Sequence, residues 1–186
     1  MKEYLNIVNK VLKKGELKHN RTGVDAYALA GSMFEHNMGE GFPLLTTKKV
    51  AYENVKSELE FFLKGFSDKK WLQKRNNHIW DEWCSPELFA YGDGEEIRKN
   101  MKEERDLGPI YGFQWRHFGA DYKGFEENYF GEGVDQLEIL VENLKRNPDD
   151  RRMIVSAWNP LDLEKMALPP CHYGFQVTVI NNKLNL

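Results

Sequence analysis

The sequence has few cysteines, no long apolar run and no excess of positive charge, and each absence excludes a class of protein. Two cysteines among 186 residues exclude a disulfide-stabilised scaffold and indicate a reducing compartment. No run of about 18 apolar residues is present that could span a membrane. The formal net charge of −3 excludes a strongly basic nucleic-acid-binding surface. We therefore expect neither a membrane nor DNA as a partner.

The N-terminus also lacks the features of a signal peptide. Its first residues read MKEYLNIVNKVLKKG, without an apolar core followed by a small-residue cleavage site. Instead, Leu5, Val8 and Leu12 follow helical spacing and Gly15 is placed to end the helix, which predicts a helix over 1–14. We expect a cytoplasmic protein.

What the chain does contain is enough for one globular domain. Hydrophobic residues make up 41% of the sequence and aromatic residues 13%, which can form a sizeable core. We find no internal repeat, low-complexity segment or linker, so the prediction is a single domain over 1–186. Two segments, 84–106 and 119–133, are interpreted as excursions from the core whose residues suggest no chemistry.

Two stretches of the N-terminal half have a clear pattern. Residues 26–38 read as an extended strand with a bulge at Gly31-Ser32. Residues 53–65 predict a helix that Gly65 ends. We expect this helix to be mostly core, with an apolar face formed by Val55, Leu59, Phe62 and Leu63.

The C-terminal half begins with a helix and continues with strands. Apolar residues recur at helical spacing from Val134 to Leu144, and the helix is expected to end near 147–150. The segments 152–160 and 174–186 are predicted to be extended. Asn181-Asn182 predicts a hairpin turn, because asparagine tolerates the positive φ that such turns require.

Cys171 is the first candidate for chemistry. It follows Pro169 and Pro170, which restrict the backbone, and it precedes His172. A nucleophilic cysteine needs cationic or dipolar help to ionise at neutral pH, and His172 or the nearby pair Arg151-Arg152, expected on the preceding strand, could give it. The alternative is a buried structural cysteine.

Arginine and carboxylate side chains give further candidates. Arg21, beside Thr22 and Gly23, matches the geometry of phosphate recognition, although a loop arginine is commonly a solvated charge. Glu58 lies on an otherwise apolar helical face, where burial would raise its pKa and suit it to proton transfer. The segment IWDEW, 79–83, is either core or a stacking platform for a flat ligand. No histidine or cysteine spacing predicts a metal site.

Taken together, the motifs resemble those of thymidylate synthases, in the same order and over almost the whole chain. They are NRTG (20–23), GFPLLTTKK (41–49), SELEFFLKG (57–65), IWDEW (79–83), DLGPIYGFQWRHFGA (106–120), DQL (135–137), DDRRMIVSAWNP (149–160) and MALPPCH (166–172).

The resemblance implies the reductive methylation of deoxyuridine monophosphate (dUMP) to thymidine monophosphate (dTMP), with 5,10-methylenetetrahydrofolate as co-substrate. It implies that Cys171 adds to C6 of the uracil ring and that Glu58 organises proton transfer. The other roles it implies are phosphate binding by Arg21 and, from the neighbouring subunit, by Arg151 and Arg152; pyrimidine contacts by Tyr111 and His172; and folate contacts by Lys48, Ile79, Trp80 and Trp83.

The resemblance also implies a fold and a partner. The expected fold is α/β (α+β), a large mixed sheet with helices on one face and a homodimer partner on the other. Members of the family continue past Leu186, so we expect a truncated, weakly active or inactive form, for which a separate C-terminal fragment would be a further partner. Two other functions stay open: a dUMP or dCMP hydroxymethylase, and a non-catalytic nucleotide-binding or assembly fragment.

Overall fold

The computed structural model describes residues 2–20, 23–88, 92 and 94–186 and forms two compact units. The first unit is Met1–Ala51 and the second is Tyr52–Leu186. Helices combine with small antiparallel sheets, which confirms the α+β class. The described strands are each three residues long and form three separate two-stranded sheets, so the large mixed sheet that was expected is not found among them. The single domain over 1–186 stays a prediction.

The first unit consists of one helix, one strand pair and a short 3₁₀ turn. Their bounds are α1 Lys2–Lys14, β1 Glu16–Lys18, β2 Ala26–Ala28 and the 3₁₀ turn Met38–Glu40. The predicted helix is confirmed, whereas the strand predicted over 26–38 is confirmed only at its start, because β1 offers just three residues to pair with. None of the unit's described residues is buried, so Leu5 and Leu12 on the apolar stripe of α1 are exposed.

The second unit contains five α-helices and one 3₁₀ turn, Leu163–Lys165, within its described residues. The α-helices are α2 Tyr52–Leu63, α3 Lys70–Gln73, α4 Glu95–Glu103, α5 Tyr111–His117 and α6 Gln136–Arg146. Gly65 ends α2 as predicted, since it has a φ of 75° and donates its N–H to the carbonyl of Phe62. In the part of the chain that the structure describes, no helix is both long and apolar enough to cross a membrane.

The strands of the second unit form two antiparallel pairs. Their bounds are β3 Ile154–Ser156 with β4 Gly174–Gln176, and β5 Thr178–Ile180 with β6 Lys183–Asn185. The predicted turn between β5 and β6 is confirmed, because Asn181 and Asn182 have φ values of 51° and 60°. Val177 lies between β4 and β5 and is buried.

The core forms where α2 packs against α5. Phe61 and Phe62 are the buried residues of α2, and Tyr111 to Trp115 are all buried in α5. The predicted apolar face of α2 is therefore wrong in part. Three of its residues, Val55, Leu59 and Leu63, are 45%, 51% and 47% exposed, because the helix turns its phenylalanines and not these side chains toward α5.

The two segments interpreted as excursions contribute to the packed interior. Cys84 and Met101 are buried in the first of them, and Tyr129 in the second. The hydroxyl of Tyr122 donates to the carboxylate of Asp106 at 2.5 Å and so connects the two segments. The interpretation as excursions is wrong for these residues, since aromatic side chains of 119–133 pack against α5.

Candidate active site

Cys171 is exposed and its backbone is fixed to helix α5. Its N–H donates to the phenol oxygen of Tyr111, the first residue of α5, at 2.7 Å. Tyr111 itself is buried, and Pro170 immediately before the cysteine is buried as well. The thiol is therefore carried on a backbone that is anchored on both sides while the side chain stays accessible.

The rings next to Cys171 form a continuous stack. The His172 imidazole lies on the Tyr111 ring, with centroids 4.2 Å apart and planes 20° apart. The other neighbour of Tyr111 is Phe62, whose ring centroid is 4.6 Å away. Sequence reasoning placed Phe62 in the core but not in the site. Its position four residues after Glu58, on the same face of a helix, is the signal that could have found it.

Trp80 extends this arrangement to Glu58. Its indole ring meets Phe62 edge-on at 6.3 Å and Tyr111 edge-on at 6.5 Å. Its Nε1–H donates to Glu58 Oε1 at 2.8 Å. We call Phe62, Trp80, Tyr111 and His172 the ring cluster. It connects Cys171 at one end with Glu58 at the other, so the structure brings five of the predicted site residues together.

Burial controls the electrostatics of the cluster. It raises the pKa of the Glu58 carboxyl, and the hydrogen bond from Trp80 opposes this only in part. Burial also lowers the pKa of His172 and raises the pKa of the Tyr111 phenol. The surroundings therefore favour the uncharged form of all three groups, each of which can form hydrogen bonds in that form.

The remaining residues predicted on the folate side lie in different places. Ile79 precedes Trp80 and is 45% exposed, and Trp83 is partly buried against the hydrophobic core. Lys48 belongs to the first unit, where it is exposed. The structure thus groups Ile79 and Trp83 with Trp80 on one segment of the second unit.

The predicted phosphate-binding arginines are not part of the ring cluster. Arg151 and Arg152 were expected on a strand, but they lie in the turn before β3 and are exposed. The Arg152 guanidinium faces Asp150 at 3.9 Å with its side chain 87% exposed, because the acidic residues before it form the turn that leads into β3. Arg21 lies outside the described residues.

One further cavity lies in the second unit, away from the predicted site residues. It has a volume of about 330 Å³ and is lined by residues 64–68 together with residues of α5 and of the 119–133 segment, among them Phe113, Phe125 and Tyr129. Within the described residues, no group of histidine, cysteine, aspartate and glutamate side chains is arranged to hold a metal ion. The ring cluster is thus the best candidate for chemistry.

Comparisons with known proteins give the family. The thymidylate synthase family model matches residues 2–186. The bifunctional dihydrofolate reductase-thymidylate synthase of Leishmania major is 49% identical over 92% of this chain, and the bifunctional dihydrofolate reductase-thymidylate synthase 1 of Arabidopsis thaliana is 47% identical over 98% of it. The thymidylate synthase of Herpesvirus ateles is 45% identical over 98%. The aligned regions are 32%, 34% and 61% of these relatives' lengths. The chain belongs to the thymidylate synthase family.

Proposed function

We propose that this chain carries the nucleophile of a thymidylate synthase, which converts dUMP and 5,10-methylenetetrahydrofolate to dTMP and dihydrofolate. Membership of the family supports the proposal. The observation that carries it is the ring cluster, which links an exposed cysteine to a buried carboxyl through aromatic side chains. A structural cysteine would have no need of this arrangement, and it would be buried rather than exposed.

In the proposed reaction, Cys171 starts the chemistry as a thiolate. Its sulfur adds to C6 of the uracil ring, and the electron pair released makes C5 nucleophilic enough to attack the methylene carbon of the folate. The C5 proton then leaves to a base and the bond between the methylene carbon and the folate nitrogen breaks, after which the tetrahydrofolate gives a hydride to that carbon and leaves as dihydrofolate. The thiolate is then expelled from C6. The bond between the Cys171 N–H and Tyr111 supports this role because it fixes where the sulfur is presented.

Glu58 and His172 handle protons and water around the pyrimidine in this proposal. The raised pKa of Glu58 makes its protonated form more available than that of an ordinary carboxyl, and Trp80 holds its carboxyl in place. Burial lowers the pKa of His172 and favours its neutral imidazole, to which we assign a contact with the pyrimidine through water instead of the role of general base. Trp80, with Ile79 and Trp83, is assigned to the side that receives the folate ring, and the folate contact of Lys48, in the first unit, stays a prediction.

Phosphate binding is assigned to Arg21 and to Arg151 and Arg152 of a second copy. A homodimer follows from this assignment, and Ile154 in β3 and Trp158 just after it support it, since both leave apolar surface exposed in this part of the chain. The dimer is tested by sedimentation at a chain concentration of tens of micromolar. We expect the wild type to be dimeric and Ile154→Lys to be monomeric. The matched control is Ile139→Lys on α6, and a wild-type chain that is only monomeric contradicts the assignment. A cytoplasmic location is part of the same proposal.

The test of the chemistry compares the two cysteines. The chain is incubated with dUMP and 5,10-methylenetetrahydrofolate, and dTMP and dihydrofolate are measured for wild type, Cys171→Ser and the control Cys84→Ala. We expect Cys171→Ser to lower turnover by several orders of magnitude. A variant that retains more than about a tenth of the rate contradicts the proposal, since that is less than about 1.4 kcal/mol of barrier.

Two further measurements apply when turnover is slow. Binding of dUMP should slow the alkylation of Cys171, whereas buried Cys84 should react only on unfolding. Equal alkylation rates with and without saturating dUMP contradict the proposal. A hydroxymethylated product formed without dihydrofolate would instead identify a pyrimidine nucleotide hydroxymethylase.

A further inference from the structure

Asn77 is a buried amide that the proposed chemistry does not use. Its side chain is 1% exposed, and the Nδ2 group donates to two atoms of α2, the carbonyl oxygen of Asn54 and the hydroxyl of Ser57, each at 2.9 Å. Ser57 immediately precedes Glu58. The amide nitrogen of Asn77 is therefore attached to the turn of α2 that presents the carboxyl.

The other end of the same amide holds the segment that carries Trp80. The Oδ1 atom of Asn77 accepts the backbone N–H of Ile79 at 3.3 Å, and Ile79 immediately precedes Trp80. One side chain thus connects the residue before Glu58 with the residue before Trp80. The hydrogen bond between Glu58 and Trp80 lies directly beside this connection.

We propose that Asn77 is a positioning residue, which fixes the distance and orientation between Trp80 and Glu58 through its hydrogen bonds to Asn54, Ser57 and Ile79. The importance of this pair for the reaction rests on the proposed function, but the geometry does not. An amide suits the position because it donates from one end and accepts at the other. An aspartate would direct an acceptor at the Asn54 carbonyl, and an apolar residue would leave the Ile79 N–H without its partner.

Other contacts hold the same segment from a different direction. The ammonium group of Lys69 donates to the carbonyl oxygens of Asp81 and Trp83, at 3.2 and 2.6 Å, and Gln73 donates to the Asp81 carboxylate. These contacts come from α3 and the residue before it, not from α2. Loss of the Asn77 amide should therefore leave the segment folded while the indole of Trp80 loses its fixed relation to Glu58.

The test observes the indole directly and needs no substrate. The Trp80 Nε1–H signal is assigned in a nitrogen-15 NMR spectrum with a Trp80→Phe variant, and its chemical shift and hydrogen exchange are compared between wild type and Asn77→Ala. We expect the shift to move toward that of a solvent-exposed indole and the exchange to become about tenfold faster, as for a weakened buried hydrogen bond. An unchanged shift and exchange rate overturn the proposal.

Asn159→Ala is the matched control. Asn159 is also a buried asparagine whose amide donates twice, to Gln114 and Asp162, and accepts the N–H of Leu161. Asn159→Ala should lower the urea midpoint about as much as Asn77→Ala does, without changing the Trp80 signal. An equal change in the Trp80 signal of both variants would show a general loss of stability and overturn the proposal.

If Asn77→Ala does not fold, Ser57→Ala is the second variant, because it removes one of the two acceptors of the Asn77 amide. An unchanged Trp80 signal in Ser57→Ala would also overturn the proposal. This experiment measures no turnover. A chain that shows no activity therefore bears on the proposed function and not on the positioning role of Asn77.

Discussion

The backbone N–H of Cys171 and the phenol oxygen of Tyr111 are 2.7 Å apart, although 60 residues separate them in the sequence. This bond joins the segment after the two prolines to the first turn of α5. The bond uses the backbone of the cysteine, and the thiol also interacts with the same phenol. The position of the thiol is therefore set by α5 and by the ring cluster packed on it.

Substituting Tyr111 with phenylalanine tests this relationship. The ring remains to stack on Phe62 and His172, but the acceptor is lost, so we expect the free energy of unfolding to fall by about 1 kcal/mol. The Cys171 amide proton should exchange about tenfold faster, since the bond that opposes its opening is gone. Urea unfolding and amide hydrogen exchange measured by NMR give the two quantities.

Tyr129→Phe is the control for that substitution. Tyr129 is also a buried tyrosine whose hydroxyl accepts a backbone N–H, that of Lys123, at 2.7 Å. Tyr129→Phe should lower the free energy of unfolding by at least as much, because this hydroxyl also donates to the Gly124 carbonyl at 2.8 Å, and it should leave the Cys171 amide unchanged. If Tyr111→Phe leaves the exchange of that amide at the wild-type rate, Tyr111 does not hold the cysteine in solution.

Glu58→Gln should make stability depend differently on pH. Burial raises the folded-state pKa of Glu58 above its ordinary value of 4.5, so between those two values the folded state binds more protons than the unfolded state. The wild type therefore loses stability as pH rises through that window, and the glutamine variant does not lose this contribution. We expect Glu58→Gln to become more stable relative to wild type between about pH 4 and about pH 8.

The measurement is the urea midpoint of both chains across that range. Glu60→Gln, an exposed position on the same helix, is the matched control for removal of a carboxylate. A difference between wild type and Glu58→Gln that stays constant with pH would contradict the effect of burial on this carboxyl.

His172 should titrate in the opposite sense. Burial lowers its folded-state pKa below the ordinary value of 6.5, so as pH falls through that window the unfolded state binds more protons and the fold loses stability. His172→Phe keeps an aromatic ring on Tyr111 and removes the titration. Relative to this variant, the wild type should therefore be less stable at about pH 5 than at about pH 7.5. NMR titration of the imidazole gives the pKa directly, and a value at or above that of an ordinary histidine contradicts the prediction.

Local sequence patterns predicted helices and turns well where residues close together in the sequence determine the structure. The α1 and α2 helices and the turn at Asn181-Asn182 are examples, because spacing, a terminating glycine and positive-φ residues act locally. The direction in which α2 faces could not be obtained in this way. Its stripe of Val55, Leu59 and Leu63 fits a buried face as well as Phe61 and Phe62 do, and packing against α5 decides between them.

The candidate site was predictable as a set of residues but not as a geometry. Short motifs pointed to Glu58, Trp80, Tyr111 and Cys171, because particular residue types occur in a particular order. The bond of Tyr111 to Cys171 and the stack of Phe62 on Tyr111 depend on how distant segments pack. No periodicity carries that information, and for the same reason the role of Asn77 was missed.

Gly112→Ala should disturb the ring cluster from within the core. A Cβ at Gly112 would lie 2.9 Å from the Phe62 carbonyl oxygen and 3.1 Å from the Cα of Gly65, so α5 must move away from α2. Alanine favours a helix by up to about 1 kcal/mol over glycine, whereas overpacking against backbone atoms costs about 1–3 kcal/mol, so the variant should be less stable. Its near-ultraviolet circular dichroism should also weaken as Phe62 and Tyr111 separate. Gly31→Ala, where a Cβ meets no atom within 4 Å, is the control, and equal urea midpoints for the two variants would show that α2 and α5 are not in close contact in solution.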